Sequence, residues 1–155
     1  MDGSHRIDTI SILHSLPLFQ NFSSSEVLLF YAVGTERGLP AGRVLGGGEG
    51  PIESLWVLLA GRLAVHSPLV PGHVSYLDAP AVYGVTALVP PHPDVRGVTH
   101  TDCQLLEIPV HTIRQFCADN PRLGHRLYES VARHLLDRLT TIVAEVRGAR
   151  ESGGV

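Results

Sequence analysis

Long apolar runs are missing from this chain. No stretch approaches the ~18 consecutive apolar residues that span a bilayer, and residues 1–9 lack the basic-then-apolar order of a secretion signal. Those absences predict a cytoplasmic protein with no membrane partner. Positive charge is thin as well: the formal net charge is −3 and no Lys/Arg block occurs. Binding to phosphates needs a concentrated basic footprint to displace counterions, so DNA is not an expected direct partner. Cysteine is scarce, with only Cys103 and Cys117 and no CxxC spacing. A disulfide framework and a zinc knuckle therefore lack support, and two buried free thiols are expected.

What is present suffices to fold. Hydrophobic residues make up 44% of the chain and charged residues 17%, too apolar a balance for disorder. A length of 155 residues suits one domain with one core. That domain is expected over residues 1–150, with a frayed tail at 151–155.

Ile7, Ile10, Leu13 and Leu16 recur at three-residue steps, predicting a short helix over 5–16 that Pro17 terminates. Ser23 and Glu26 have capping-box spacing, which starts a helix at 24–33 and leaves Gly34 to stop it. From Gly38 to Pro109, short apolar runs are broken by Gly, Pro and Asp, as in a compact antiparallel barrel or sandwich. Ser54 to Ala60 is the clearest strand, with Arg62 to His66 as its hairpin partner across Gly61, and Leu105 to Ile108 reads as the last strand. Beyond Pro109 the apolar spacing turns helical. Leu123, Leu127, Val131, Leu135, Leu139, Ile142 and Val146 predict a long amphipathic helix over about 119–148, capped by Asn120 before Pro121 and ended by Gly148.

Within this frame lie Leu16-Pro17-Leu18-Phe19, Ala41-Gly42-Arg43-Val44, Glu49-Gly50 and the run Glu53-Ser54-Leu55-Trp56-Val57-Leu58-Leu59-Ala60-Gly61-Arg62-Leu63. Tyr83-Gly84 with Ala87-Leu88, then Thr101-Asp102-Cys103-Gln104-Leu105-Leu106-Glu107-Ile108-Pro109 and Asn120-Pro121, follow in order. This succession resembles the cyclic nucleotide-binding domain family, which includes the sensor domain of catabolite activator protein, over residues 13–145. The resemblance implies an α+β fold: an antiparallel, jelly-roll-like β-roll flanked by N-terminal helices and a long C-terminal helix. Trp56 then reads as core packing rather than a ligand platform.

In that family a short helix with the pattern Phe-Gly-Glu-aliphatic-small-Leu supplies amides and a Glu for the ribose hydroxyl, and an Arg about nine residues later pairs with the cyclic phosphate. Here the pattern falls on Tyr83, Gly84, Val85, Thr86, Ala87 and Leu88, so Val85 stands where the Glu is expected. Pro93-Asp94 falls where the family has Pro-Arg, and the Asp94 carboxylate would repel a phosphodiester. Val95 follows, and Arg96 is the one residue placed to substitute for the missing guanidinium. The resemblance thus implies a non-catalytic regulatory domain whose nucleotide binding is lost or altered, with no cofactor expected. Two alternatives stay open: a working sensor of cyclic AMP or cyclic GMP using Arg96, and another small anion held by the Gly84 amide and the Thr86 hydroxyl.

Enzymatic motifs are absent: there is no Gly-x-Ser-x-Gly elbow, no His-Glu-x-x-His helix and no phosphate loop, and Gly46-Gly47-Gly48 reads as a turn. Nine histidines raise the alternative of a small metal-dependent barrel enzyme, but His73, His92 and His100 lack the His-x-His spacing that such a site needs, and no metal is expected. His125 and His134 read as solvated. On the terminal helix, Tyr128, Leu135 and Ile142 step by seven, as do Ala132, Leu139 and Val146, a seam like a short coiled coil. It predicts a homodimer through this helix, which in the catabolite activator family leads into a helix-turn-helix that is not seen before Val155. A protein partner, rather than DNA, is the expected output.

Overall fold

Residues 2–46, 53–66, 71–89 and 95–153 are described by a computed structural model. The Gly47-Gly48 and Glu49-Gly50 turns, His92 and Asp94 lie outside the described residues. The first helix, α1 (Asp2–Ser15), stops short of Pro17, and a single 3-10 turn (Pro17–Phe19) leads towards α2 (Ser24–Val33). Of the predicted apolar stripe, Leu13 and Leu16 are buried but Ile7 is exposed. Thr9 is buried in its place, its hydroxyl 3.0 Å from the His5 carbonyl and 3.2 Å from the Glu36 carboxylate. The capping box forms as expected: the Glu26 amide donates to Ser23 Oγ at 3.2 Å and the Ser23 amide to Glu26 Oε1 at 2.8 Å. α2 ends at Gly34, whose backbone is extended, and packing keeps that position a glycine, since a Cβ there would lie 2.8 Å from Leu106 Cδ1.

Eight strands follow: β1 (Thr35–Leu39), β2 (Val44–Gly46), β3 (Ser54–Ala60), β4 (Arg62–His66), β5 (Val74–Asp78), β6 (Ala81–Tyr83), β7 (Arg96–Thr99) and β8 (Cys103–Pro109). They form two antiparallel four-stranded sheets, β1-β8-β3-β6 and β2-β7-β4-β5. β3 and β4 are therefore not hairpin partners. β3 pairs with β8 and β6, whereas β4 pairs with β5 and β7 in the other sheet. Gly61 makes the crossing possible: its φ is +102° and a Cβ would stand 2.5 Å from the Asp102 carbonyl oxygen. A period-two pattern fixes which residues face inward but not which strand lies alongside.

The core runs between the sheets and under the helices, with Leu55, Val57, Leu58, Leu63, Leu105, Leu106 and Ile108 almost wholly buried. Trp56, 8% exposed, belongs to it. Cys103 is buried and Cys117 half-buried, both as free thiols. Phe22 stacks on Phe30, Phe19 meets both at a tilt, and Phe116 meets Phe30 edge-on at 5.9 Å. Phe116 belongs to α3 (Val110–Asp119), a separate helix ahead of α4 (Pro121–Gly153). The break falls at Asn120, whose Oδ1 accepts the Leu123 amide at 3.2 Å.

α4 runs past the predicted stop at Gly148, and Glu151 to Gly153, predicted to fray, are helical. Gly148 takes no left-handed conformation, so it serves as an interior residue at a cost of about 1 kcal/mol relative to Ala. Ser152 Oγ bonds back to its carbonyl at 2.8 Å. Among the described residues, no helix is long and apolar enough to cross a membrane.

Candidate functional site

A cavity of about 250 Å³ lies between the second sheet and α4. Val65 of β4, Leu77 of β5 and Val95 ahead of β7 form one wall. The end of β6 and the 3-10 turn after it (Val85–Leu88) form another, with Val82, Tyr83, Gly84, Val85 and Thr86. α4 lines the remaining side with His134, Leu135, Arg138, Leu139 and Ile142, and the cavity stays half-open to solvent.

Each wall follows from local sequence. Gly84 turns the chain out of β6 with φ +93°, a left-handed conformation that suits glycine, and its carbonyl accepts the Ala87 amide at 3.0 Å. The turn is tethered to both C-terminal helices: Arg114 Nη2 donates to the Ala87 carbonyl at 3.1 Å, and the Tyr128 hydroxyl to the Leu88 carbonyl at 3.3 Å. Tyr83 lies buried with its ring against Gly97, where a Cβ would sit 2.6 Å from the ring, and its hydroxyl donates to the Val95 carbonyl at 3.3 Å. Val85 is 3% exposed and presents only hydrocarbon to the cavity.

Of the residues read from sequence, Tyr83, Gly84, Val85, Thr86 and Val95 come together around this space, and Ala87 is buried just behind the turn. Arg96 does not join them. Val95 faces the cavity and Gly97 the Tyr83 ring, so strand alternation turns Arg96 outward, where it is exposed in register with His66. The basic side chains that do line the cavity, among the described residues, are His134 and Arg138, of which only Arg138 is a permanent cation.

His134 is thus not a solvated helix residue. Burial, and then the Arg138 guanidinium, hold its imidazole below the ordinary range, with Asp137 opposing them, so it favours the neutral form near pH 7. Arg138 makes no hydrogen bond or ion pair among the described residues. Sequence reading placed His134 in solvent and missed Arg138, because about two-thirds of the helix is exposed and its polar positions alone do not say which face meets the roll. The available signal was the spacing of four between 134, 138 and 142.

The predicted helix seam divides in space. Leu135 and Ile142 line the cavity. Tyr128, 39% exposed, faces outward together with exposed Ala132; Leu139, 57% exposed, sits at the rim between cavity and solvent, and Val146 is half-buried. Leu136 (62%) and Val143 (43%), absent from the predicted seam, complete an outward apolar stripe. Among the described residues no cluster of three His, Cys, Asp or Glu side chains could hold a metal.

The two sheets of the roll, the turn after β6 and the helix lid reproduce a known arrangement. A cyclic nucleotide-binding domain from Methylobacillus flagellatus KT superposes with a TM-score of 0.77 at 17% identity, over 94% of this chain and 84% of that one. The chain has the cyclic nucleotide-binding fold. The N-terminal domain of a transcriptional regulator from Streptomyces coelicolor A3(2) shares that fold with a TM-score of 0.65 at 23% identity, over 84% of this chain and 94% of that one. Catabolite activator protein from Thermus thermophilus matches with a TM-score of 0.63 at 20% identity; 84% of this chain is covered, but only 63% of that protein. No family model matches the chain, and no curated protein matches its sequence. In the terms of this fold, the cavity occupies the space between the roll and α4.

Proposed function

We propose that this chain is a non-catalytic regulatory domain that dimerises through α4 and signals to a protein partner, with a cavity altered so that it does not take a cyclic nucleotide in the ordinary way. One observation carries the reading: α4 is shared between two surfaces. One side of it walls the cavity with His134, Leu135, Arg138 and Ile142, another presents Leu136 and Val143 to solvent, and Leu139 lies at the edge between them. The Tyr128 hydroxyl ties the same helix to the turn that carries Val85. A change in what fills the cavity therefore bears on the helix that would carry a second copy.

The altered cavity rests on chemistry. The Val85 side chain offers no acceptor to a ribose hydroxyl, and Arg96 is exposed and outside the cavity lining. A ribose hydroxyl left without an acceptor costs about 1–3 kcal/mol of binding, about fivefold to a hundredfold. Calorimetric titration of the full chain with cyclic AMP and cyclic GMP is expected to show no binding at micromolar concentrations. Micromolar affinity for either would overturn the altered-cavity reading.

A further inference from the structure

We infer that the cavity under α4 binds a small, mainly apolar molecule carrying a single carboxylate, with Arg138 as its counter-ion. This deepens the reading above and rests on it. Three features of the cavity select that chemistry.

Size comes first. An apolar protein cavity of about 150 Å³ accommodates benzene; by that scale, 250 Å³ matches a ligand of about ten non-hydrogen atoms. A cyclic nucleotide has roughly twice that many, so part of it would lie outside this cavity, in the solvent at its open side. The walls come second. Val65, Leu77, Val82, Val85, Leu135 and Ile142 offer no hydrogen bonds, so most of the ligand must be hydrocarbon to gain from leaving water.

Charge is the third feature. Arg138 brings a permanent guanidinium to the cavity with no carboxylate partner among the described residues, and the neighbouring carboxylate, Asp137, is not part of this lining. A guanidinium fork matches the two oxygens of a carboxylate. The neutral imidazole of His134 and the Thr86 hydroxyl flank it and can each offer one further hydrogen bond. A fully neutral ligand would gain nothing from the guanidinium. A multiply charged one would leave anionic charge without partners.

Octanoate and phenylpropanoate, each of about ten non-hydrogen atoms, serve as probes on the full chain, with octanamide as the neutral isostere. Titration followed by methyl NMR is expected to show submillimolar binding of at least one acid, with shifts at Val82, Val85 and Leu135. Octanamide should bind at least about tenfold more weakly, and Arg138→Gln should lose about tenfold to a hundredfold in affinity for the acid. Arg138→Lys, which keeps the charge but not the fork, should fall between the two. Arg138 is half-exposed and bonds to no other group, so circular dichroism should find both variants folded. Equal binding of acid and amide, unchanged affinity in Arg138→Gln, shifts mapping away from this cavity, or no binding of either acid would each overturn the inference. If neither acid binds and cyclic nucleotides fail to bind as well, this inference falls while the altered-cavity reading stands. Micromolar cyclic nucleotide binding would remove both.

Discussion

Leu136 sits at the centre of the outward stripe on α4, and replacing it with Glu separates association from folding. The side chain is 62% exposed in the monomer, so about that fraction of its burial energy remains to be gained in a complex. Full burial of a leucine is worth ~1.5–3 kcal/mol, which leaves ~1–2 kcal/mol per copy and ~2–4 kcal/mol for a two-fold dimer in which both copies contribute. Leu136→Glu should therefore weaken dimerisation by about 30-fold to 1000-fold, before any cost of desolvating two carboxylates at the seam. The fold itself should be spared. Glu and Leu have similar helix propensities, and a substitution at an exposed position away from partners changes stability by only about 0.5 kcal/mol. Analytical ultracentrifugation over a concentration series measures the association, and a urea melt of the dilute variant measures the monomer. A wild-type chain that stays monomeric at micromolar concentration, or a variant as dimeric as the wild type, would refute the stripe as an interface. A variant that loses its fold would instead show that Leu136 serves the monomer core.

Two further perturbations test the packing and the electrostatics. Gly97→Ala would drive a Cβ to 2.6 Å from the buried Tyr83 ring, so stability should fall by about 1–3 kcal/mol in denaturant titration and the Tyr83 hydroxyl should lose its bond to Val95; an unchanged midpoint would mean that the ring moves aside freely. Glu26 is held below the usual carboxylate range by its hydrogen bond from Arg126, against the opposing effect of burial, and by the Ser23 amide. A carboxyl depressed in the folded state stabilises above its unfolded pKa and loses that contribution as pH falls through its folded value. Glu26→Gln retains a side chain able to complete the capping box, so its deficit should be present at pH 7, begin to shrink as pH falls towards the unfolded carboxyl range of about 4, and vanish only below the depressed folded value; a deficit independent of pH would assign the role to packing.

Local chemistry was legible wherever a few neighbouring residues decide the outcome. Ser23 and Glu26 announce α2 because each satisfies the other's amide, and Asn120-Pro121 announces α4 because cap and φ restriction act within one turn. The apolar run at 54–60 had to be a buried strand. Gly148 misled for a matching reason: a helix with no structural need for a left-handed residue passes through a glycine at modest cost.

Partner choice and facing were not legible, since both depend on residues far apart in sequence. The order of motifs from Leu16 to Pro121, each a local signal, was enough by itself to point to a β-roll closed by a helix, and to place Val85 at its pocket. Only the tertiary structure sent β4 to the opposite sheet from β3, turned Arg96 outward by strand alternation, and divided the heptad residues of α4 between cavity and solvent. It also brought His134 and Arg138 to the cavity, because a helix acquires an inner face only when something packs against it.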